Sequence, residues 1–188
     1  MKWKVILFSF IAIVFLVLFS FKIVLFLTPL SDNQQQTVDF LQGKDELKVP
    51  YEENAVSHMY DVKKVFFYAD VMFYVSLLIL TLFLTHYRKK IKKISEFLNY
   101  GGWTTIIGLG SLLMFALIGF NTLFTWFHRI FFPQGNWMFD AESLLIQTFP
   151  IEFFVSMSLK IFILALVFGI VFIVVGKYMN HDLHSKRN

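Results

Sequence analysis

Residues 65–84 read VFFYADVMFYVSLLILTLFL, and this stretch predicts a helix that spans a membrane. Its only charged residue is Asp70, and roughly 20 apolar residues in an α-helix are enough to cross the hydrocarbon core of a bilayer. Directly after it, residues 85–93 read THYRKKIKK and carry five basic side chains. Because cytoplasmic loops carry the excess of Lys and Arg, this end of the span is predicted to face the cytoplasm.

Three further apolar stretches have the length of a membrane span, at about residues 5–27, 104–127 and 153–175. The composition agrees, since the 188 residues are 57% hydrophobic with a mean hydropathy of +0.64. Such a composition is not that of a soluble domain. The first stretch is too long for a signal peptide, and no small-residue cleavage motif follows Leu27. We therefore predict a single all-α membrane domain over residues 1–188 with four transmembrane helices.

The basic residues predict the orientation of these spans. They precede the first span, crowd residues 88–93 between the second and third, and follow the fourth. Both termini and the 85–103 link are thus predicted to be cytoplasmic. Residues 28–64 and 128–152 then face outwards and are expected to form a small extracellular cap. The expected location is the cell membrane of a bacterium, with the functional site on its outer face.

The cap is expected to be folded, because it contains apolar residues and helix signals. Residues 32–41 predict a short helix that ends at Gly43. Pro50 and the acidic residues after it predict the start of a helix that runs on into the second span. In the second outer segment we expect a turn at residues 133–136 and then a short helix with Asp140 as its N-cap.

Several kinds of chemistry are excluded or disfavoured. The chain has no cysteine, so it has no disulfides and no thiolate nucleophile. It has no G-x-S-x-G motif, no P-loop and no H-E-x-x-H motif. A zinc site at the cap would need a third ligand such as Asp61 or Asp140, and we expect no metal or other cofactor. Nucleic acid is not an expected partner, because the net charge of +4 comes from residues that flank apolar spans.

Two histidines are the candidate catalytic residues. His58 lies in the first outer segment, and His128 lies at the outer end of the third span, so the predicted topology puts both at one depth of the membrane. Asp61 is three residues after His58, and on a helix it would share a face with the imidazole and orient it or stabilise its charge. Arg129 is suited to holding a phosphate or a carbonyl oxygen. The alternatives are a solvated surface helix and an interfacial aromatic belt.

At these segments the chain resembles the bacterial lipoprotein intramolecular transacylases (Lit). The resemblance rests on AVSHMYDVK at residues 55–63, FHRIFF at 127–132 and NWMFD at 136–140. It implies a four-helix membrane enzyme with an extracellular cap and two catalytic histidines, His58 and His128. It also implies the substrate, which is a diacylglyceryl-modified bacterial lipoprotein held in membrane lipid. The implied reaction moves the sn-2 acyl chain to the N-terminal cysteine amine and leaves a lyso-form lipoprotein.

The residues make chemical sense of that reaction. The substrate contains its own nucleophile, so no Ser or Cys of the enzyme is required. An imidazole with a pKa of about 6.5 can take a proton from the attacking nitrogen and return one to the leaving oxygen. Asp61, Arg129 and Tyr60 are expected to support the two histidines. Aromatic side chains are expected to confine the substrate and exclude water; they are Phe66, Phe67, Trp126, Phe131 and Trp137.

Two other functions fit the same topology. One is a non-catalytic membrane assembly or transport protein whose cap binds a partner. The other is a hydrolase that uses the same histidines with water as the nucleophile. Convergence of the two imidazoles, with side chains about 3–7 Å apart on a lipid-accessible groove, would favour an enzyme. Imidazoles on opposite faces of the bundle would favour the non-catalytic protein.

Overall fold

The computed structural model describes residues 2–185, and within them every regular element is a helix. In chain order the helices are α1 (Lys2–Leu27), α2 (Asp32–Leu41), α3 (Glu53–Tyr87), α4 (Ile91–Phe131), α5 (Leu144–Thr148) and α6 (Ile151–Ser185). The helices α1, α3, α4 and α6 are long and apolar enough to cross a membrane. The predicted fold class, an all-α protein with four membrane-spanning helices, is confirmed.

Two of the long helices carry polar extensions beyond their apolar parts. The helix α3 begins at Glu53, 12 residues before the predicted span at 65–84, which is about 18 Å at the rise of an α-helix. Acidic and basic side chains are frequent in this extension, so we treat it as lying outside the hydrocarbon. His58 lies on the extension of α3, and His128 follows the predicted span 104–127 near the end of α4.

The bundle packs α1 against all three other long helices, while α4 packs mainly against α6 and only sparsely against α3. Small residues let α4 and α6 approach closely. A Cβ atom at Gly102 would lie 2.5 Å from the backbone oxygen of Gly169 and 2.6 Å from a side-chain carbon of Ile173. The Ser95 hydroxyl donates to the backbone oxygen of Gly176 at 2.7 Å across the same interface. This is the close backbone packing that is typical of membrane helices.

The cap is built on a core of its own, which α2 and α5 form with the start of α3. Buried residues from all three pack together: Phe40, Leu41, Val49, Tyr51, Ala55, Met59, Leu145 and Phe149. The Gln34 amide donates to the backbone oxygen of Thr148 at 2.7 Å, which joins α2 to the end of α5. The chain leaves α2 through Gly43, whose φ of 73° favours glycine.

The cap differs from the sequence prediction at one helix start. Asp140 does not cap α5; the N-cap is Ser143, whose hydroxyl accepts from the backbone N–H of Ile146 at 3.3 Å. The backbone oxygen of Asp140 instead accepts from the N–H of Ser143 at 3.0 Å in the turn before the helix. Ser and Asp are comparable N-caps, so the sequence did not distinguish the two positions.

Candidate active site

His58 and His128 come together where the cap meets the bundle. Their ring centroids are 6.1 Å apart, and the ring planes are inclined by only 28°. Both side chains are buried, with 5% of His58 and 8% of His128 exposed. Two residues 70 positions apart in sequence are therefore held face to face by α3 and α4. The distance between the rings falls within the range that favours a shared site.

The tautomer of His128 follows from its backbone contact. Its Nδ1 atom lies 2.7 Å from the backbone oxygen of Phe124, one helical turn earlier. A carbonyl oxygen can only accept, so Nδ1 carries the proton and donates. In the neutral ring Nε2 then holds the free lone pair and is the basic atom. For His58, the described residues provide no hydrogen-bond partner for the buried Nδ1.

Burial makes both imidazoles resist protonation. It is the main cause that lowers the pKa of His58 to about 4, and the nearby His128 lowers it further. The Asn136 side chain and the negative charge of Asp61 oppose that shift. Burial also lowers the pKa of His128, against the hydrogen bond to the backbone of Phe124. Both rings are therefore neutral at pH 7 and able to accept a proton.

Aromatic rings surround the histidine pair. Phe132 is almost fully buried, and its ring centroid lies 4.7 Å from that of His58 and 5.5 Å from that of His128. Trp137 lies 5.0 Å from His128, and Phe139 lies 5.6 Å from His58. These three rings line the same cavity as the two imidazoles and surround them with apolar surface.

The cavity has a volume of about 570 Å³ and is lined almost entirely by apolar side chains. Both histidines line it at the cap, and Leu112, Ala116 and Ile161 line it deep in the bundle. From His128 to Leu112 is 16 residues of α4, which is kinked between them at Gly119, so the cavity follows the helix over at most about 24 Å. The cavity is thus long and apolar enough for a lipid chain whose polar end lies beside the imidazoles.

The predicted site residues are divided between the cavity and the surface. Phe66 and Trp137 line the cavity with the two histidines. Four predicted aromatic residues are at least half exposed and lie outside the lining: Tyr60, Phe67, Trp126 and Phe131. Tyr60 instead packs edge-on against Phe40 of α2 at 5.2 Å. Arg129 is exposed at the end of α4. Neighbouring residues on a helix point about 100° apart, so Phe66 and Phe67 cannot both face inward.

Asp61 takes part in a polar network beside the site. Its carboxylate accepts from Lys64 at 2.9 Å, from Gln134 at 2.8 Å and from Asn136 at 2.9 Å. The Lys64 and Asn136 hydrogen bonds are the main causes that lower the pKa of Asp61. The carboxylate is therefore charged at neutral pH and is held one helical turn from His58. Gln134 and Asn136 were not among the predicted site residues.

Some residues of the site were missed although a local signal existed. Phe124 lies four positions before His128 on the same face of α4, and Phe132 lies four positions after it, at the C-cap of the helix. Phe139 and Asn136 lie in the irregular segment after α4, where no periodic pattern predicts which side chains face inward. Within residues 2–185, no three His, Asp or Glu side chains are grouped as a metal ion would require.

Comparisons with known proteins agree with this geometry. The profile of a family described as lipoprotein intramolecular transacylase Lit matches residues 27–154. A solved structure of the membrane integral lipoprotein intramolecular transacylase Lit from Bacillus cereus has a TM-score of 0.79 at 20% identity, and the match covers 98% of this chain and 100% of that chain.

Two variants of the same Bacillus cereus protein have also been solved, with a histidine replaced by arginine or by alanine. They match with TM-scores of 0.82 and 0.81, each at 20% identity and over 98% of this chain, and the matches cover 94% and 95% of those chains. No curated protein matches the chain. The solved structures share the fold over 98% of this chain, and the family profile covers both histidines.

Proposed function

The chain belongs to the lipoprotein intramolecular transacylase (Lit) family, and we propose that it uses His58 and His128 for the transfer of the sn-2 acyl chain within a bacterial lipoprotein. The protein is a multi-pass membrane acyltransferase. Its proposed substrate carries a diacylglyceryl group and a free N-terminal cysteine amine. The proposed product carries an N-acyl cysteine and a glyceryl group with a free sn-2 hydroxyl.

The observation that carries this proposal is the pair of neutral imidazoles at the polar end of an apolar cavity. The rings are 6.1 Å apart, and a cavity of about 570 Å³ continues from them into the bundle. An acyl chain in the cavity would bring its ester to the imidazoles. The cysteine amine is attached to the same substrate, so the reaction needs close approach of two groups more than it needs an enzyme nucleophile.

In the proposed reaction a carbon–nitrogen bond replaces the carbon–oxygen bond of the ester, and the amine loses one proton while the leaving oxygen gains one. The neutral amine nitrogen attacks the ester carbonyl carbon, and the carbonyl electron pair moves onto oxygen to give a cyclic tetrahedral intermediate. An imidazole takes a proton from the nitrogen, and His128 is suited to this because its Nε2 holds the free lone pair. The bond from carbon to the sn-2 oxygen then breaks. A proton delivered to that oxygen gives the hydroxyl, so no proton is gained or lost overall.

Exclusion of water favours transfer over hydrolysis. The ester would otherwise react with water as the nucleophile, and the aromatic rings beside the imidazoles leave little room for it. Phe132, Trp137 and Phe139 contact the two rings from the cap. Confinement also holds the amine near the ester, which is worth several orders of magnitude when two reacting groups are well aligned.

The test is mass spectrometry of a lipoprotein N-terminal peptide after incubation with the purified protein. Wild-type protein should place an acyl group on the cysteine nitrogen without changing the total number of acyl groups. His58→Ala and His128→Ala should each lower this conversion about 10²–10⁴-fold. The double variant should be scarcely worse, because groups that act as a unit lose activity non-additively.

The matched control is His86→Ala, which removes an exposed histidine from the other end of α3. It should keep wild-type conversion. Release of free fatty acid in place of N-acylation would show that the protein is a hydrolase. Near-wild-type conversion by either single variant, in protein of equal thermal stability, would show that the two histidines are not the catalytic pair.

A further inference from the structure

A small polar network joins the two halves of the site. Asp61 of α3 accepts hydrogen bonds at one carboxylate oxygen from Gln134 at 2.8 Å and from Asn136 at 2.9 Å. The Gln134 amide also donates to the Asn136 side-chain oxygen at 3.1 Å. We call these three residues, Asp61, Gln134 and Asn136, the amide clamp. Lys64 pairs with the other carboxylate oxygen at 2.9 Å and completes the coordination of the anion.

The amide clamp ties the loop after α4 to the helix that carries His58. Gln134 and Asn136 stand on either side of Gly135, whose φ of 81° lets the chain turn so that both amides reach the same carboxylate. The residue after Asn136 is Trp137, which contacts His128 at 5.0 Å. The clamp therefore fixes the distance between α3, with His58, and the loop that closes the cavity over His128.

Asn136 lies beside the helix turn that carries His58, because it donates at 2.9 Å to Asp61, three residues further along α3. Its side chain favours the charged form of the His58 ring and so opposes the effect of burial on the pKa of His58. The charged and titratable groups that act on His58 are His128 from α4 and Asp61 from its own helix. The Asp61 carboxylate is itself paired with Lys64 and with the two amides. Asn136 is thus the member of the clamp that joins the helix turn of His58 to the loop that packs on His128.

We propose that Asn136, held by Asp61 and Gln134, is a positioning residue that sets the placement of His58 relative to His128 during acyl transfer. The proposal rests on the proposed function, because it assigns a role within the same reaction. Asparagine suits the role because its amide nitrogen donates to the Asp61 carboxylate while its oxygen accepts from Gln134. Aspartate at this position would lose the donor and would place a second carboxylate beside Asp61.

The test compares Asn136→Ala and Asn136→Asp with wild-type protein. Asn136→Ala should lower kcat about 10–100-fold with little change in KM, since displacing a catalytic group by about 1 Å lowers the rate by a factor of that order. Asn136→Asp should raise the midpoint at which His58 titrates by about 1 pH unit or more, because a carboxylate near an imidazole favours its charged form. NMR of histidine-labelled protein measures that midpoint without relying on activity.

The matched control is Asn33→Asp, which makes the same change on the exposed face of α2 in the cap. It should leave both kcat and the His58 midpoint unchanged. If Asn136→Asp does not fold, Asp61→Asn is the second variant, and it should lower kcat with unchanged KM by removing the anion that holds both amides.

The outcomes separate the two proposals. Absence of N-acyl cysteine with wild-type and Asn33→Asp protein would contradict the proposed function alone. An active wild-type protein whose Asn136→Ala variant keeps its kcat would overturn the positioning role. The same conclusion follows if the His58 midpoint in Asn136→Asp equals that of wild type.

Discussion

At the scale of single residues, the protein keeps two imidazoles buried and uncharged where the helix bundle meets an aromatic cap. Burial disfavours the charged form of each ring, and their proximity disfavours charging both. The backbone of α4 fixes the His128 tautomer through Phe124. A neutral imidazole is the form that a general base requires, so the features that bury the rings also prepare them for proton transfer.

Burial of His58 has a consequence for stability in acid. The pKa of His58 is lowered from 6.5 to about 4 in the folded protein, while the unfolded chain keeps the ordinary value. Between these two pH values the unfolded chain binds more protons, so the free energy of unfolding falls as the pH falls from about 6.5 to about 4. We expect the melting temperature of detergent-solubilised protein to drop over this window.

His58→Gln should reduce that dependence, because glutamine does not titrate, while the buried His128 retains a share of it. His86→Gln is the control and should keep the wild-type slope, since His86 is exposed. A wild-type melting temperature that is constant from pH 6.5 to pH 4 would contradict the expected burial of an uncharged ring. Parallel slopes for wild type and His58→Gln would assign the acid sensitivity to other groups.

Sequence reasoning identified the two histidines and, of the cavity lining, Phe66 and Trp137, but it missed the other residues around them. His58 and His128 stood out because few titratable residues flank the apolar spans at one membrane depth. The choice of Phe67, Trp126 and Phe131 as lining residues was drawn from aromatic density along the chain, and these side chains face away from the cavity. Whether a helical side chain is buried depends on the face of the helix on which it lies, and aromatic density along the chain does not show this. Spacing of four residues from His128 would have indicated Phe124 and Phe132.

At the scale of helices, local signals predicted the cap elements well, because caps and turns are short-range interactions. The helix α2 spans Asp32–Leu41 and is followed by Gly43, as the composition of that segment indicates. The start of α5 was placed too early, since Asp140 and Ser143 are both acceptable N-caps. The amide clamp was beyond prediction, because Asp61 and Asn136 are 75 residues apart and meet only in the folded chain.

The interface between α4 and α6 gives a stability prediction at this scale. Gly102→Ala would place a methyl group 2.5 Å from the backbone oxygen of Gly169, where a rigid backbone cannot yield. The helices must then separate, at a cost of about 1–3 kcal/mol for an overpacked interface. We expect a lower melting temperature for Gly102→Ala in detergent.

Gly110→Ala is the matched control on the same helix, because a Cβ atom there would meet nothing within 4 Å. Alanine is also the better helix former, so this variant should be as stable as wild type or slightly more stable. Equal melting temperatures for Gly102→Ala and Gly110→Ala would mean that α4 and α6 do not approach each other closely at Gly102.

At the scale of the whole molecule, the four long helices form the bundle on which the candidate site is built. The helices α3 and α4 each bring a histidine to the end of the bundle where the cap lies, and the cavity between the helices leads from there into the bundle. The Lys22 ammonium and the Asp70 carboxylate, 2.7 Å apart, link α1 to α3 in the outer part of the bundle. A charged side chain in a membrane helix needs a partner of this kind. The Lys22 ammonium also lies over the rings of Phe73 and Tyr74.

The orientation of the bundle is the prediction on which a shared external site depends. The five basic residues at 88–93 lie at the opposite end of the bundle from the cap, so the cap is expected to be extracellular. Reporter fusions after Asn99 and after Asn188 should be active on the cytoplasmic side. Fusions near Gln36 and Gly135 should be active outside, because these positions lie in the two segments of the cap.

Neutralisation of the basic residues tests whether their charge sets the orientation of the bundle. Replacing the basic residues at 88–93 with glutamine should weaken the cytoplasmic preference of the 85–103 link, since the Lys and Arg bias sets orientation. Replacing Lys44 and Lys48 of the cap with glutamine should leave the topology unchanged. A cytoplasmic signal at Gly135 with an external signal at Gln36 would put the segments that bear His128 and His58 on opposite sides of the membrane. No site shared by the two imidazoles could then form.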